Sequence, residues 1–153
     1  MPEMDFDAKC FTLDEAQSLL PVLEALLKRA IEAKKAVEGI QEEMRILSHR
    51  IFISGGMLLD IEGVRKRRAA LDAYLQQAKD SLAEIEAIGV QVKDLDTGLL
   101  DFPCLLDGEV VLLCWKMGEE RIQYWHTLEA GFRGRQPLDD RFRANNKEPE
   151  RPN

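Results

Sequence analysis

Apolar residues recur every three or four positions along two long segments of the chain, which is the period of one face of a helix. The positions are Leu20, Leu23, Leu27, Ala30, Val37, Ile40, Met44, Leu47 and Ile51 in the first segment, and Ile61, Val64, Leu71, Leu75, Ala78, Leu82 and Ile85 in the second. Gly55-Gly56 lies between them and is the strongest break in this part of the chain. The pattern predicts a long antiparallel helical hairpin with arms at residues 21–53 and 58–88.

The ends of this hairpin carry recognisable signals. Thr12-Leu13-Asp14-Glu15 has the form of a capping box, so a helix should begin near Leu13. Pro21 removes a hydrogen bond and crowds the preceding turn, which predicts a kink, or a short first helix followed by a longer one. Gly89 is suited to the left-handed position after the second helix.

After Val90 the apolar period changes to that of strands. Three runs, Leu99–Leu106, Glu109–Met117 and Arg121–Thr127, predict a small three-stranded antiparallel meander. Asp107-Gly108 favours a two-residue turn between the first two strands. The fold class is therefore α+β and mostly α.

The turn sets the register of the first two strands. Asp101 then faces Cys114, and both lie on one side of the sheet, whereas Trp115 lies on the other. Pro103 has no N–H to donate, so its strand should lie at an edge.

The second turn, around Gly118-Glu119-Glu120, leaves two registers open. A two-residue turn puts His126 on the Trp115 face, and a three-residue turn puts it on the face of Asp101 and Cys114. The sequence does not choose between them.

The length of 153 residues is that of one ordinary domain. We expect a single domain at residues 11–138, made of the helical hairpin at 12–89 and the β-meander with a Gly/Arg loop at 90–136. Residues 139–153 are poor in apolar side chains and predict a disordered tail.

Composition narrows the class of protein. The formal net charge of −7 argues against an extensive nucleic-acid interface, because such surfaces need many unpaired cations. Neither a signal peptide nor a membrane-spanning run is visible, and three cysteines are too few for a disulfide framework. These features predict a cytoplasmic protein with reduced thiols.

The far half of the hairpin carries more apolar side chains than the small sheet region can cover. They are Ile46, Leu47, Ile51, Phe52, Ile53, Met57, Leu58, Leu59 and Ile61. We expect two chains to pair their hairpins as a homodimer, in a coiled-coil-like four-helix bundle. The alternative is a tip that folds back around Gly55-Gly56.

Four residues of the β-region have side chains suited to chemistry: Asp101, Cys114, Glu119 and His126. Together they suit zinc or iron, or a thiol nucleophile with a base and an orienting acid. Their spacing matches no known metal signature, so the alternative is a structural polar cluster.

A second set of candidates would recognise a ligand rather than react with it. It comprises Trp115, Trp125, His126, Arg133 and Arg135. The aromatic side chains would line a pocket or a protein-docking surface, and the arginines would clamp a small anion. The alternatives are a bulky core for a small sheet and a surface turn whose arginines pair with acids.

Several motifs resemble the prokaryotic DUF2203 family, a domain of unknown function. They are Phe11-Thr12-Leu13-Asp14-Glu15-Ala16, Leu19-Leu20-Pro21, Gly89-Val90-Gln91-Val92-Lys93-Asp94, Gly98-Leu99-Leu100-Asp101-Phe102-Pro103, Leu113-Cys114-Trp115-Lys116-Met117-Gly118-Glu119, Tyr124-Trp125-His126 and Gly131-Phe132-Arg133-Gly134-Arg135-Gln136-Pro137. The resemblance covers about residues 11–138 and implies no activity, substrate or cofactor. The family motifs include candidate residues that side-chain chemistry also selects. These residues are Asp101, Cys114, Trp115, Glu119, Trp125, His126 and Arg135.

Three functional hypotheses follow. The first is a dimeric binding or interaction module with a polar and aromatic site in its β-region. The second is a metal-dependent, hydrolase-like enzyme that uses Asp101, Cys114, Glu119 and His126. The third is an RNA- or ribosome-associated factor acting through the basic run Arg65-Lys66-Arg67-Arg68 and the C-terminal tail.

Overall fold

A computed structural model describes residues 9–56 and 60–146 of the chain. Two long helices, α1 and α2, precede a five-stranded sheet and a short helix, α3. Their bounds are α1 Leu13–Ile53, α2 Ile61–Ile88, β1 Gln91–Asp94, β2 Leu99–Leu106, β3 Glu109–Lys116, β4 Tyr124–His126, β5 Gln136–Pro137 and α3 Asp140–Asn146, with a 3-10 turn at Phe132–Gly134. The α+β class is confirmed.

The chain divides into two compact units, which are described separately. One runs from Leu26 to Ala83, and the other contains the chain up to Ala25 together with the chain from Glu84 onward. Across the described residues, no helix is long and apolar enough to cross a membrane.

The predicted start of α1 is confirmed by its cap. The Thr12 N–H donates to Glu15 Oε1 at 2.9 Å, and the Glu15 N–H donates to Thr12 Oγ1 at 3.1 Å. The helix continues through Pro21, so the alternative of a short separate first helix is wrong. The proline ring is exposed, while Leu20 and Leu23 on either side of it are buried and continue one apolar face.

The Leu26–Ala83 unit is the helical hairpin. Gln77 Nε2 donates to the Arg29 carbonyl at 3.1 Å, and Arg67 Nε donates to Glu43 Oε1 at 3.2 Å, so the helices run antiparallel. Among its described residues, the buried side chains lie at the end away from the connecting turn: Leu27, Ala30, Ala33, Val37 and Ser81. Of the apolar tip residues considered above, Met57, Leu58 and Leu59 lie outside the described residues.

The other unit contains an antiparallel sheet of strand order β1-β2-β3-β4-β5, rather than the expected three strands. The two additional strands have four and two residues, which is too short to show a two-residue period. The turn between β2 and β3 is confirmed, because Asp107 and Gly108 have φ of 51° and 82° and Leu106 pairs with Glu109. The predicted pairing of Asp101 with Cys114 follows from it.

The prediction that Pro103 lies on an edge strand is wrong, since β2 lies between β1 and β3. The β1 ladder reaches only as far as Asp101, so no donor is required of the proline. Instead, the Phe11 N–H donates to the Pro103 carbonyl at 2.7 Å. The N-terminal segment thus uses the one backbone hydrogen-bonding group that proline retains.

The register of β4 resolves the alternatives at the second turn. Leu112 pairs with His126 and Cys114 pairs with Tyr124, which is the register of the three-residue turn. His126 therefore shares a sheet face with Cys114. The ladder itself begins only at Tyr124, and the connection is held in part by Trp115 Nε1, which donates to the Glu119 carbonyl at 2.9 Å.

A helix occupies the start of the segment that was expected to be a disordered tail. Phe142 of α3 is buried, and its ring centroid lies 5.5 Å from that of Trp125. The guanidinium carbon of Arg141 lies 5.5 Å from the centre of the Trp125 ring, and its Nη1 donates to Asp107 Oδ2 at 3.4 Å. Phe142 and Arg141 therefore both anchor α3, and one buried apolar residue gives no periodicity to read. Residues 147–153 lie outside the described part of the chain.

Replacing Thr12 with alanine removes one half of the capping box. We expect Thr12→Ala to lower the free energy of unfolding by about 1 kcal/mol, because the Glu15 N–H loses its acceptor. Urea denaturation followed by circular dichroism measures this change. Ser48→Ala, at an exposed position in the interior of α1, is the control and should change stability by less than about 0.5 kcal/mol. Equal effects of the two substitutions would contradict the role of the cap.

Candidate metal centre

Three adjacent strands bring together an acid, a thiol and an imidazole. Asp101 lies on β2, Cys114 on β3 and His126 on β4, all on the same face of the sheet. One ligand atom from each lies within 4.8 Å of the other two. The residues are only 2%, 0% and 2% exposed, respectively. This arrangement confines three metal-ligating groups in a site without direct access to water.

The imidazole of His126 is held at both nitrogens. Its Nδ1 lies 2.7 Å from the Thr127 carbonyl oxygen, and its Nε2 lies 3.1 and 3.2 Å from the two carboxyl oxygens of Asp101. A carbonyl oxygen only accepts, so Nδ1 carries a hydrogen. A second proton must then lie between Nε2 and the Asp101 carboxyl group for that contact to be a hydrogen bond.

Cys114 completes the cluster as a protonated thiol. Burial raises its pKa to about 11, and the nearby Asp101 carboxylate acts in the same direction, whereas Arg135 partly opposes the increase. A thiolate, not a thiol, is the nucleophile in cysteine catalysis. The site therefore does not support the thiol-nucleophile alternative at neutral pH.

Arg135 forms the boundary of the site beside the sulfur. Its guanidinium carbon lies 4.1 Å from the centre of the Tyr124 ring and 4.4 Å from that of Phe132. Nη1 donates to Cys114 Sγ at 3.8 Å, and Nη2 donates to Glu119 Oε2 at 2.9 Å. The two rings and the Glu119 carboxylate hold the guanidinium in one position, so Arg135 is a fixed positive charge beside the sulfur.

Glu119, a predicted metal ligand, lies outside the three-residue cluster. Its Oε2 accepts from Arg135, and its Oε1 accepts from the Lys116 N–H at 2.9 Å. Both carboxylate oxygens are thus engaged in holding the β3–β4 connection. The structure assembles three of the four predicted ligands and gives Glu119 a supporting position.

The predicted recognition residues have different environments. Trp115 and Trp125 are buried, and both lie on the opposite sheet face from His126. Arg133 is exposed, whereas Arg135 is largely buried. Among the described residues, Trp125 Nε1 is a buried donor without a hydrogen-bond partner. The tryptophans therefore belong to the core of the sheet unit and do not form an exposed aromatic surface.

Two contributions to the site are not apparent from residue types. The Thr127 backbone carbonyl fixes His126, and the rings of Tyr124 and Phe132 enclose Arg135. Any residue could supply the carbonyl, so no side chain marks it. The contact between Tyr124 and Arg135 depends on the register of β4, which puts Tyr124 opposite Cys114, and the sequence does not fix that register.

The comparisons with known proteins give one match. A family model described as "Uncharacterized conserved protein (DUF2203)" matches residues 9–138. Neither the search of curated proteins nor the search of solved structures returns a match.

Breaking the buried pair should be costly in the metal-free protein. We expect Asp101→Ala to lower the free energy of unfolding by about 3 kcal/mol, because His126 would lose its partner without access to water. Asp72→Ala, which removes an exposed carboxylate from α2, should change it by less than about 0.5 kcal/mol. Chemical denaturation in the presence of a chelator compares them. A loss as small as that of the control would show that the pair is not held as described.

Proposed function

The chain belongs to the DUF2203 family, whose description specifies no activity, and we propose its function from the site itself. The protein is a non-enzymatic module that binds one divalent transition-metal ion, zinc or ferrous iron, through Asp101, Cys114 and His126. A cytoplasmic location suits this proposal, because all three cysteines are free thiols and a ligand thiol must stay reduced.

The hydrogen bonding of His126 carries the proposal. Histidines that bind metals through one nitrogen commonly donate the other N–H to a backbone carbonyl, as Nδ1 does to Thr127. The other nitrogen, Nε2, then faces the carboxyl group of Asp101, a second candidate ligand. Two nitrogen or oxygen ligands on a tetrahedral ion are about 3.3 Å apart, given bonds of about 2.0–2.2 Å. The separation of Nε2 from the Asp101 carboxyl oxygens is close to this value.

The charges of the site also suit a divalent cation. A carboxylate from Asp101 and a thiolate from Cys114 would neutralise the ion, and His126 would bind as a neutral ligand. Arg135 and Glu119 already form a neutral pair beside the sulfur. The ion would therefore replace the proton between Nε2 and the carboxyl group and the proton of the thiol.

Burial favours a module over a hydrolase. Each of the three ligand residues is at most 2% exposed, so a reactant has no open approach to the ligand atoms. A hydrolytic metal site needs a position open to water and substrate. The RNA hypothesis receives less support, because Arg65 and Arg67 of the basic run pair with Glu62 and Glu43.

Metal content tests the proposal directly. We expect untagged protein purified without chelator to contain about one equivalent of zinc or iron per chain. Cys114→Ser should reduce this at least about tenfold, whereas Cys10→Ser, which changes an exposed thiol, should leave it unchanged. Elemental analysis gives the stoichiometry, and circular dichroism verifies that both variants fold. Cobalt(II) substitution should add a thiolate-to-cobalt absorption band that Cys114→Ser lacks.

The proposal fails if the wild-type protein holds less than about 0.2 equivalents and binds neither zinc nor cobalt at micromolar concentration. It also fails if Cys10→Ser and Cys114→Ser lose metal equally.

We further propose that the hairpin unit self-associates with a second copy of the chain. Among the described residues from 40 to 80, none is buried. At the tip, Phe52, Ile53 and Ile61 are 81%, 69% and 60% exposed. The apolar residues occur on both helices with the spacing of packed helices, so the same surface can pair with itself about a twofold axis.

Charges introduced at the tip should prevent this pairing. We expect the wild-type protein to sediment as a dimer at micromolar concentration and the double variant Phe52→Glu, Ile61→Glu to bind itself at least about 100-fold more weakly. Val22→Glu, at a half-exposed apolar position outside the Leu26–Ala83 unit, is the control and should remain dimeric. A wild-type protein that sediments as a monomer would contradict the proposal.

A further inference from the structure

A cavity of about 420 Å³ opens at the end of the sheet face that carries the candidate metal ligands. Leu99 and Lys116, a cross-strand pair on β2 and β3, form its floor. Phe132 and Arg133 line it from the segment after β4. Asp94, the last residue of β1, and Thr97, in the β1–β2 connection, also line it. The cavity lies wholly within the sheet unit.

The cavity is next to the candidate centre along the strands. The Leu99–Lys116 pair is two residues from the Asp101–Cys114 pair and on the same face, a distance of about 7 Å. The side chains also form a chain of contacts. Phe132 lines the cavity and contacts Arg135, and Arg135 contacts the sulfur of Cys114.

The lining combines two cations with apolar surface. Lys116 Nζ lies 5.9 Å from the centre of the Phe132 ring, and Arg133 is exposed. Within the part of the chain that the structure describes, neither cation forms an ion pair with a carboxylate. Leu99 and Phe132 provide hydrocarbon surface for the rest of a ligand.

Asp94 limits the charge that a ligand can carry. Its carboxylate accepts from the Asp96 N–H and from Thr97 Oγ1, and these two hydrogen bonds hold it at the cavity wall. A polyphosphate would meet this charge at close range, whereas a monoanion can contact the two cations and avoid it. The lining therefore favours a small organic molecule with one negative group.

We propose that this cavity binds a small organic carboxylate beside the metal centre. Lys116 and Arg133 hold the carboxylate, and Phe132 and Leu99 contact its hydrocarbon part. The proposal rests on the proposed function, because it assigns this cavity as the ligand site of the metal centre. The ligand acts on the centre through Phe132 and Arg135, next to the Cys114 sulfur.

Benzoate is a suitable probe of the cavity, with benzyl alcohol as its uncharged counterpart. We expect saturable benzoate binding to the full chain in ligand-observed NMR titrations, and much weaker binding of benzyl alcohol. Lys116→Gln and Arg133→Gln should each raise the dissociation constant about tenfold, because each removes a charge-assisted contact. Arg121→Gln, at an exposed cation elsewhere in the same unit, is the control and should change it less than about twofold.

The proposal is overturned if wild-type protein shows no saturable binding at millimolar benzoate, if benzyl alcohol binds equally well, or if Arg121→Gln weakens binding as much as the other two variants. Each outcome would show that Lys116 and Arg133 do not form a carboxylate site.

Cobalt(II)-substituted protein tests the link to the centre. Benzoate should shift the thiolate-to-cobalt band of the wild-type protein and should not shift that of Arg133→Gln at the same concentration. Benzoate binding without any shift would overturn the link and leave the metal site intact. If cobalt does not bind at all, the proposed function fails, and the benzoate titrations with the charge variants still decide whether the cavity binds carboxylates.

Discussion

Antiparallel pairing of β2, β3 and β4 in one register places the three candidate ligands on a common face. Asp101 opposes Cys114, and the β3–β4 register puts His126 on the same side. A shift of one residue at either ladder would move a ligand to the opposite face and leave its partners unmatched in the interior. The Asp107-Gly108 turn fixes the first register, and Glu119, through the Lys116 N–H and the Trp115 indole, supports the second.

Burial gives this arrangement its chemical character. In water, an acid, a thiol and an imidazole would each be solvated independently, but here each must satisfy the others. Asp101 and His126 do so through the proton of their hydrogen bond, Cys114 retains its own proton because burial raises its pKa, and Arg135 is balanced by Glu119. A divalent ion can take the place of both protons without adding net charge. The adjoining cavity, which we propose to bind a carboxylate, lies two residues away along the strands.

The sequence predicted those features that depend on local backbone chemistry. The capping box at Thr12 and the turn at Asp107-Gly108 require particular residues, so both could be read directly. The sheet face of His126 could not be read from the sequence. It depends on whether the β3–β4 turn has an even or an odd number of residues, which is set by how residues near Glu119 bond to β3. Helix α3 depends on the tertiary burial of Phe142, and its local signal is a short one, the Asp139 carboxylate that accepts from the Arg141 N–H at the start of the helix. The three-residue ligand set was recognisable by type, but its assembly depended on the register.

The number of protons released on metal binding tests the central claim most directly. Calorimetric titration of metal-free protein with zinc, in neutral buffers that differ in ionisation enthalpy, measures that number. The account predicts about two protons per zinc ion, one from the Cys114 thiol and one from between Asp101 and His126. Zinc binding that releases no protons would show that the ion is held elsewhere, and the buried cluster would then be a structural polar network.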